Sequence, residues 1–139
     1  MATLTDNELI PVSAQQRAEY DRWCFFVLSE LEQALWTMAK HKFALPAEHR
    51  IKQVQETATW EYQRALDILS QGLGKQPYIL GDAFSAADIL VSHTLIWGIA
   101  FGHEPQQQTL LNYLQIQRAR PGLARALQRE QGTKAGESS

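Results

Sequence analysis

The stretch Tyr78-Ile79-Leu80-Gly81-Asp82-Ala83-Phe84-Ser85-Ala86-Ala87-Asp88-Ile89-Leu90 decides how this chain folds. Pro77 and Gly81-Asp82 are turn signals, so the stretch opens as an ordered loop. Ser85 then stands three residues before Asp88, the spacing of a capping box. The serine oxygen can accept from the backbone N–H near Asp88, and the carboxylate can return the contact to the N–H of Ser85. Phe84 and Ile89 occupy the two positions of a hydrophobic staple. Such a cap suits the start of a buried helix, where each unsatisfied N–H costs about 1–3 kcal/mol. Asp88 therefore reads as a structural cap, since no base or nucleophile stands beside it in the sequence to make it catalytic.

From Ser85 the helix continues to Phe101. Ile89, Leu90, Val91, Leu95, Ile96, Trp97, Ile99 and Phe101 cover nearly its whole circumference, which predicts a central helix buried all round. Upstream, Ser13 and Gln16 form another capping pattern, opening a helix from Ser13 to Lys42. Its stripe is Tyr20, Cys24, Val27, Leu31, Ala34, Leu35 and Met38, while Phe25, Phe26 and Trp36 point elsewhere. A second long helix is predicted from Pro46 to Leu73, with Gly72 and Gly74 as terminators and Trp60 off its apolar stripe. Downstream, helices are expected over Gln106–Ala119 and Pro121–Leu127, followed by a flexible tail over residues 131–139. No second strand-like run exists to pair with Tyr78–Leu80. The expected fold class is all-α, a bundle of about five helices over residues 13–130 behind a linker-like segment, residues 1–12.

Composition bounds the function. The chain has 139 residues, suited to one domain, with 45% apolar and 20% charged residues. A net charge of −2 and the lack of any polybasic run argue against nucleic-acid binding. No apolar stretch is long and clean enough to span a membrane, and the start reads as no signal peptide, so a cytoplasmic protein is expected. Cys24, the single cysteine, offers neither a disulfide nor a zinc site, and the four histidines show no metal-ligand spacing. His93 reads as a hydrogen-bonded core histidine. No catalytic constellation and no cofactor or metal site can be assembled from these residues alone.

The residues 78–90 strongly resemble the segment entering the central helix of the C-terminal domain of glutathione S-transferases. Leu9-Ile10-Pro11 resembles the linker ahead of that domain, and Arg118-Ala119-Arg120-Pro121 the turn into its last helices. The order of helices matches too, with bacterial-type enzymes the nearest in character. The resemblance implies a partner in the form of a thioredoxin-like domain, which in the family holds glutathione and supplies the thiolate-stabilising donor. The residues ahead of Ser13 hold no β-α-β pattern, so that donor is carried over to no position here and no catalytic residue is assigned. Glutathione is expected as co-substrate only where such a domain is supplied. The chain reads as half an enzyme, inactive alone.

The resemblance also implies a hydrophobic pocket for the second, electrophilic substrate, lined by the first and third helices. Tyr20, Trp23, Val27, Trp97 and Phe101 are the candidates, with aromatic small molecules as ligands; plain core packing is the competing reading, strongest for Val27. Phe25, Phe26, Trp36 and Trp60 are expected at contacts with the thioredoxin-like domain or with a second copy in a homodimer. The alternative is a free-standing helical interaction or scaffold module, since such domains also serve as docking units in translation proteins.

Overall fold

The computed structural model describes residues 9–136. Among them no strand forms, and a single pair of reciprocal backbone hydrogen bonds between Tyr78 and Gly81 is the only bridge of β type. The protein is all-α. A rod over residues 14–44 comprises α1 (Ala14–Phe26), a π-helical turn (Val27–Glu32), α2 (Gln33–Ala39) and a second π-helical turn (Lys40–Ala44). After a 3-10 turn (Ala47–His49) come α3 (Lys52–Leu73), α4 (Ala86–Ala100), α5 (Gln108–Arg118) and α6 (Pro121–Gly136).

The rod begins where Ser13 predicts, with its Oγ accepting from the Gln16 N–H at 3.3 Å. Its buried stripe differs from the predicted one. Trp23, Val27 and Leu31 are buried at four-residue steps, whereas Tyr20 and Cys24 only edge the core. The widened turn closed by Gln33 N–H to Leu28 C=O accounts for this. A π turn inserts a residue, which rotates everything beyond it by about a quarter turn, so a constant 3.6 period cannot track both halves. Beyond it, Ala34, Leu35, Met38 and Ala39 take over the core face.

The second long helix starts later than predicted. Pro46 opens only a 3-10 turn, and Arg50 and Ile51 are extended before α3 begins at Lys52. Side chains hold this break open. The Arg50 guanidinium donates to the carbonyls of Leu45 at 2.7 Å and Phe43 at 2.8 Å, and the Ile51 N–H donates to His41 Nδ1 at 3.0 Å. Backbone groups left over at the two helix ends are thus satisfied without a continuous helix. Gly74, with φ of 57°, ends α3; Gly72 lies within it.

Rod and α3 run antiparallel, as Trp23 against Gly72 and Met38 against Thr59 show. α4 lies against the rod and α5, and α5 also touches α3. The core gathers Val27, Leu31, Leu35, Tyr62, Leu66, Leu69, Leu95 and Leu110, each essentially inaccessible. Burial of each such aliphatic side chain contributes about 1.5–3 kcal/mol. α6 extends to Gly136, past Leu127 and into the predicted tail. Between Gly122 and Gly132 it contains no helix breaker and many strong helix formers, which carries it onward. Residues 1–8 of the linker-like segment and 137–139 of the tail lie outside the described residues.

Candidate functional site

α4 starts as its cap requires. Asp88 Oδ2 accepts from the Ser85 N–H at 2.9 Å, and both halves of the capping box form. The carboxylate does more than cap. Its Oδ1 accepts from the Ile79 N–H and the Tyr113 hydroxyl, each at 2.8 Å, tying the preceding loop and α5 to the same group. Asp88 is 0% exposed and its two oxygens are filled by structural donors, which leaves no catalytic freedom. Phe84 packs on the Tyr78 ring rather than disappearing under Ile89, which stays half exposed.

The face of α4 carrying Ile89, His93, Ile96 and Trp97 is not covered. His93 is exposed, so the expectation of a core histidine fails. The apolar circumference of α4 is buried on one side by rod and α5, and on the other it floors a groove of about 1000 Å³. Trp36, Ala39 and Phe43 of the rod form one wall of this groove; Phe84, Gln117, Arg120 and Ala126 form the other. Trp36 and Trp97 meet edge to face across it, with centroids 5.4 Å apart. Leu9 closes one end, its carbonyl accepting the Ala86 N–H at 2.7 Å.

The five pocket candidates are not brought together. Trp97 lines the groove. Phe101 stacks beside it against Phe43 at 6.1 Å, under the Lys42 ammonium at 4.8 Å. Trp23 and Val27 are core residues, and Tyr20 packs at the core edge. Trp36 partners Trp97 sixteen residues beyond Tyr20, roughly 24 Å along the rod at 1.5 Å per residue. The groove residues Trp36, Phe43 and His93 have no motif of their own, and the staple motif of Ile89 does not mark it as a groove residue. Trp36 had one signal, its position off the apolar stripe.

Reactive groups are muted. Burial is the main cause that holds the Cys24 thiol above its ordinary range, outweighing the hydrogen bond from Tyr20 that favours the thiolate. A protonated thiol is a poor nucleophile at neutral pH. Burial, then the Lys42 charge, pushes His103 down, so its imidazole is neutral. Among the described residues no group of His, Cys, Asp and Glu could hold a metal ion, and no helix is long and apolar enough to cross a membrane.

The family model "Glutathione S-transferase, C-terminal domain" matches residues 52–129, more than half of the chain. Glutathione S-transferase U22 of Arabidopsis thaliana is 32% identical over 114 residues, which cover 76% of this chain and 47% of that protein. The solved ternary complex of BphK, a bacterial glutathione transferase, superposes with a TM-score of 0.80 at 21% identity, covering 91% of this chain and 61% of that one. Ure2p5 of Phanerochaete chrysosporium, cocrystallised with 1-(S-glutathionyl)-2,4-dinitrobenzene, gives 0.80 at 17% identity, covering 95% and 64%. The chain thus spans about half the length of the curated relative it matches. On the match to the family model and the identity to the plant enzyme, the chain belongs to the glutathione S-transferase family and carries its C-terminal helical domain.

Proposed function

We propose that this chain supplies the hydrophobic, electrophile-binding side of a glutathione transferase and docks a thioredoxin-like domain along the groove over α4. The observation that carries this reading is the open apolar face of the central helix within a groove of about 1000 Å³. A helix apolar on all sides is expected to be covered all round, and contiguous apolar patches on a soluble surface mark binding sites. Trp97, with Trp36 beside it, offers flat aromatic walls, worth about 0.5–1.5 kcal/mol beyond burial for a stacked ring. The conjugate held by Ure2p5 joins glutathione to a dinitrobenzene ring, a ligand class that such walls suit.

The glutathione side of the reaction rests with the docked domain. A thiol without a dedicated donor keeps a pKa of about 8.5, so little thiolate forms at neutral pH. Holding an electrophile does not position the second reactant, and positioning is a large share of such catalysis. Alone, the chain therefore gives no conjugation. Phe25 and Trp60, 69% and 64% exposed, supply contacts to a second copy.

The test combines a conjugation assay using glutathione and 1-chloro-2,4-dinitrobenzene with titration of an aromatic dye into the parent and Trp97→Ala. Expected are a rate equal to the uncatalysed one, and dye binding that Trp97→Ala weakens. Turnover well above background, lost on Tyr20→Phe, overturns the reading.

A further inference from the structure

The two ends of the groove differ in chemistry. Trp36 and Trp97 make one end aromatic. At the other, Arg120 lies on the Phe84 ring with its guanidinium carbon 3.3 Å from the centroid, and 6.0 Å from that of Tyr78. Its backbone N–H donates to the Gln117 carbonyl at 3.1 Å, which fixes the turn that carries it. Arg120 is only half-buried and lines the groove. Among the described residues no carboxylate forms an ion pair with it, Arg17–Asp21, Arg22–Glu19 and Lys52–Glu56 lying elsewhere.

A guanidinium has five N–H donors in a planar fork that matches a carboxylate edge to edge. Stacking on Phe84 fixes the plane of that fork before any ligand arrives, so less side-chain freedom is lost on binding. α6 begins at Pro121, and the positive end of its dipole adds to the same local field. The other charged or titratable groups on the groove are Glu32, His93 and Glu130, none of them in an ion pair with Arg120. Glu130 is ten residues along α6, roughly 15 Å away by helical rise, while Glu32 and His93 line the groove from the rod and from α4.

We infer that Arg120 is an anion-recognising subsite of this groove and that the ligands the groove prefers are aromatic carboxylates. This inference rests on the reading of the groove as an electrophile-binding surface, and it adds the polar group that such ligands carry. The ring system lies toward Trp97 and the carboxylate toward Arg120. Ile89 and Trp97 are eight residues apart on α4, about 12 Å, which a biphenyl carboxylate spans. A hydrogen-bonded charge pair in a partly dry groove favours the anion over a neutral isostere by about tenfold or more.

Biphenyl-4-carboxylate and the neutral biphenyl-4-carboxamide are titrated calorimetrically into the parent chain, Arg120→Gln and Arg120→Lys. Circular dichroism and urea midpoints establish that each variant is folded. The expected result is a tenfold preference of the parent for the carboxylate, abolished in Arg120→Gln and partly kept in Arg120→Lys, which retains the charge without the fork. Equal binding of the two probes, or a preference that survives Arg120→Gln, overturns the subsite and leaves the hydrophobic groove standing. If neither probe binds, both the subsite and the groove reading fall.

Discussion

The Tyr113 hydroxyl donates to Asp88 Oδ1 at 2.8 Å, and neither residue is more than 1% exposed. One carboxylate therefore fastens three pieces of chain: the loop at Ile79, the start of α4 at Ser85, and α5 through Tyr113. Asp88→Ala strands all of these donors at once. At about 1–3 kcal/mol per buried donor left unsatisfied, the loss exceeds a simple exposed cap. Tyr113→Phe removes one donor and leaves the rest, so its cost is about 1–2 kcal/mol. Urea midpoints should fall in the order parent, Tyr113→Phe, Asp88→Ala. An unchanged midpoint for Asp88→Ala refutes the fastening role.

Two glycines inside helices invert the usual propensity rule. Gly to Ala in a helix interior ordinarily stabilises by about 1 kcal/mol. At Gly72 a Cβ would stand 2.2 Å from the Trp23 ring, and at Gly98 it would stand 2.1 Å from the Tyr62 hydroxyl oxygen. Neither ring can swing away, because both are buried between helices. Gly72→Ala and Gly98→Ala are each expected to destabilise, by about 1–3 kcal/mol as for other overpacked cores. Gly122→Ala, with open space around the new methyl, serves as the control and should not destabilise. Thermal melts of the three variants decide it.

What the sequence made legible follows the range of each interaction. The Ser85–Asp88 cap spans three residues and is readable as a spacing. Tyr113 as third partner of Asp88 is twenty-five residues away in sequence, with nothing local to mark it. Tyr20 and Cys24 fall on a stripe of constant period yet only edge the core, while Trp23 is buried off it, because the π turn at Val27–Glu32 breaks that period. The opening at Arg50 and Ile51 depends on carbonyl contacts from a side chain and on His41, neither visible to a breaker rule. His93 shows the limit of periodicity. A helix apolar all round can be covered by its own domain or left open for another surface, and the pattern is the same in both cases.

Alkali should weaken the fold through its buried tyrosines. Burial pushes Tyr62 and Tyr113 well above the ordinary phenol range, with the Asp88 charge raising Tyr113 further. Both stay protonated in the folded chain while unfolded tyrosines ionise from about pH 10. The unfolded state then binds fewer protons, so these two groups leave stability unchanged below about pH 10 and lower it above, by about 1.4 kcal/mol per pH unit for each tyrosine. Urea melts between pH 10 and 11 should show that slope, reduced by one tyrosine's share in either single Phe variant. At neutral pH the two variants part company: the Tyr62 hydroxyl is buried with no hydrogen-bond partner among the described residues, so Tyr62→Phe should be neutral or stabilising.

The last expectation concerns self-association. Phe25 and Leu28 project from the rod and Trp60 from α3, at 69%, 47% and 64% exposure, on helices that pack antiparallel against each other. Large apolar side chains left exposed on packed helices favour association, since each buried methylene contributes about 0.8 kcal/mol. The groove is a separate apolar surface built around α4, so the two can be distinguished by mutation. Sedimentation velocity of the parent should show concentration-dependent dimer formation. Phe25→Ser with Trp60→Ser should shift the sample to monomer while leaving aromatic-dye binding in the groove intact. Trp97→Ala should do the reverse, weakening dye binding without changing the sedimentation coefficient. If Trp97→Ala alone dissolves the dimer, the copies meet across the groove, and the assignment of Phe25 and Trp60 to the interface is wrong.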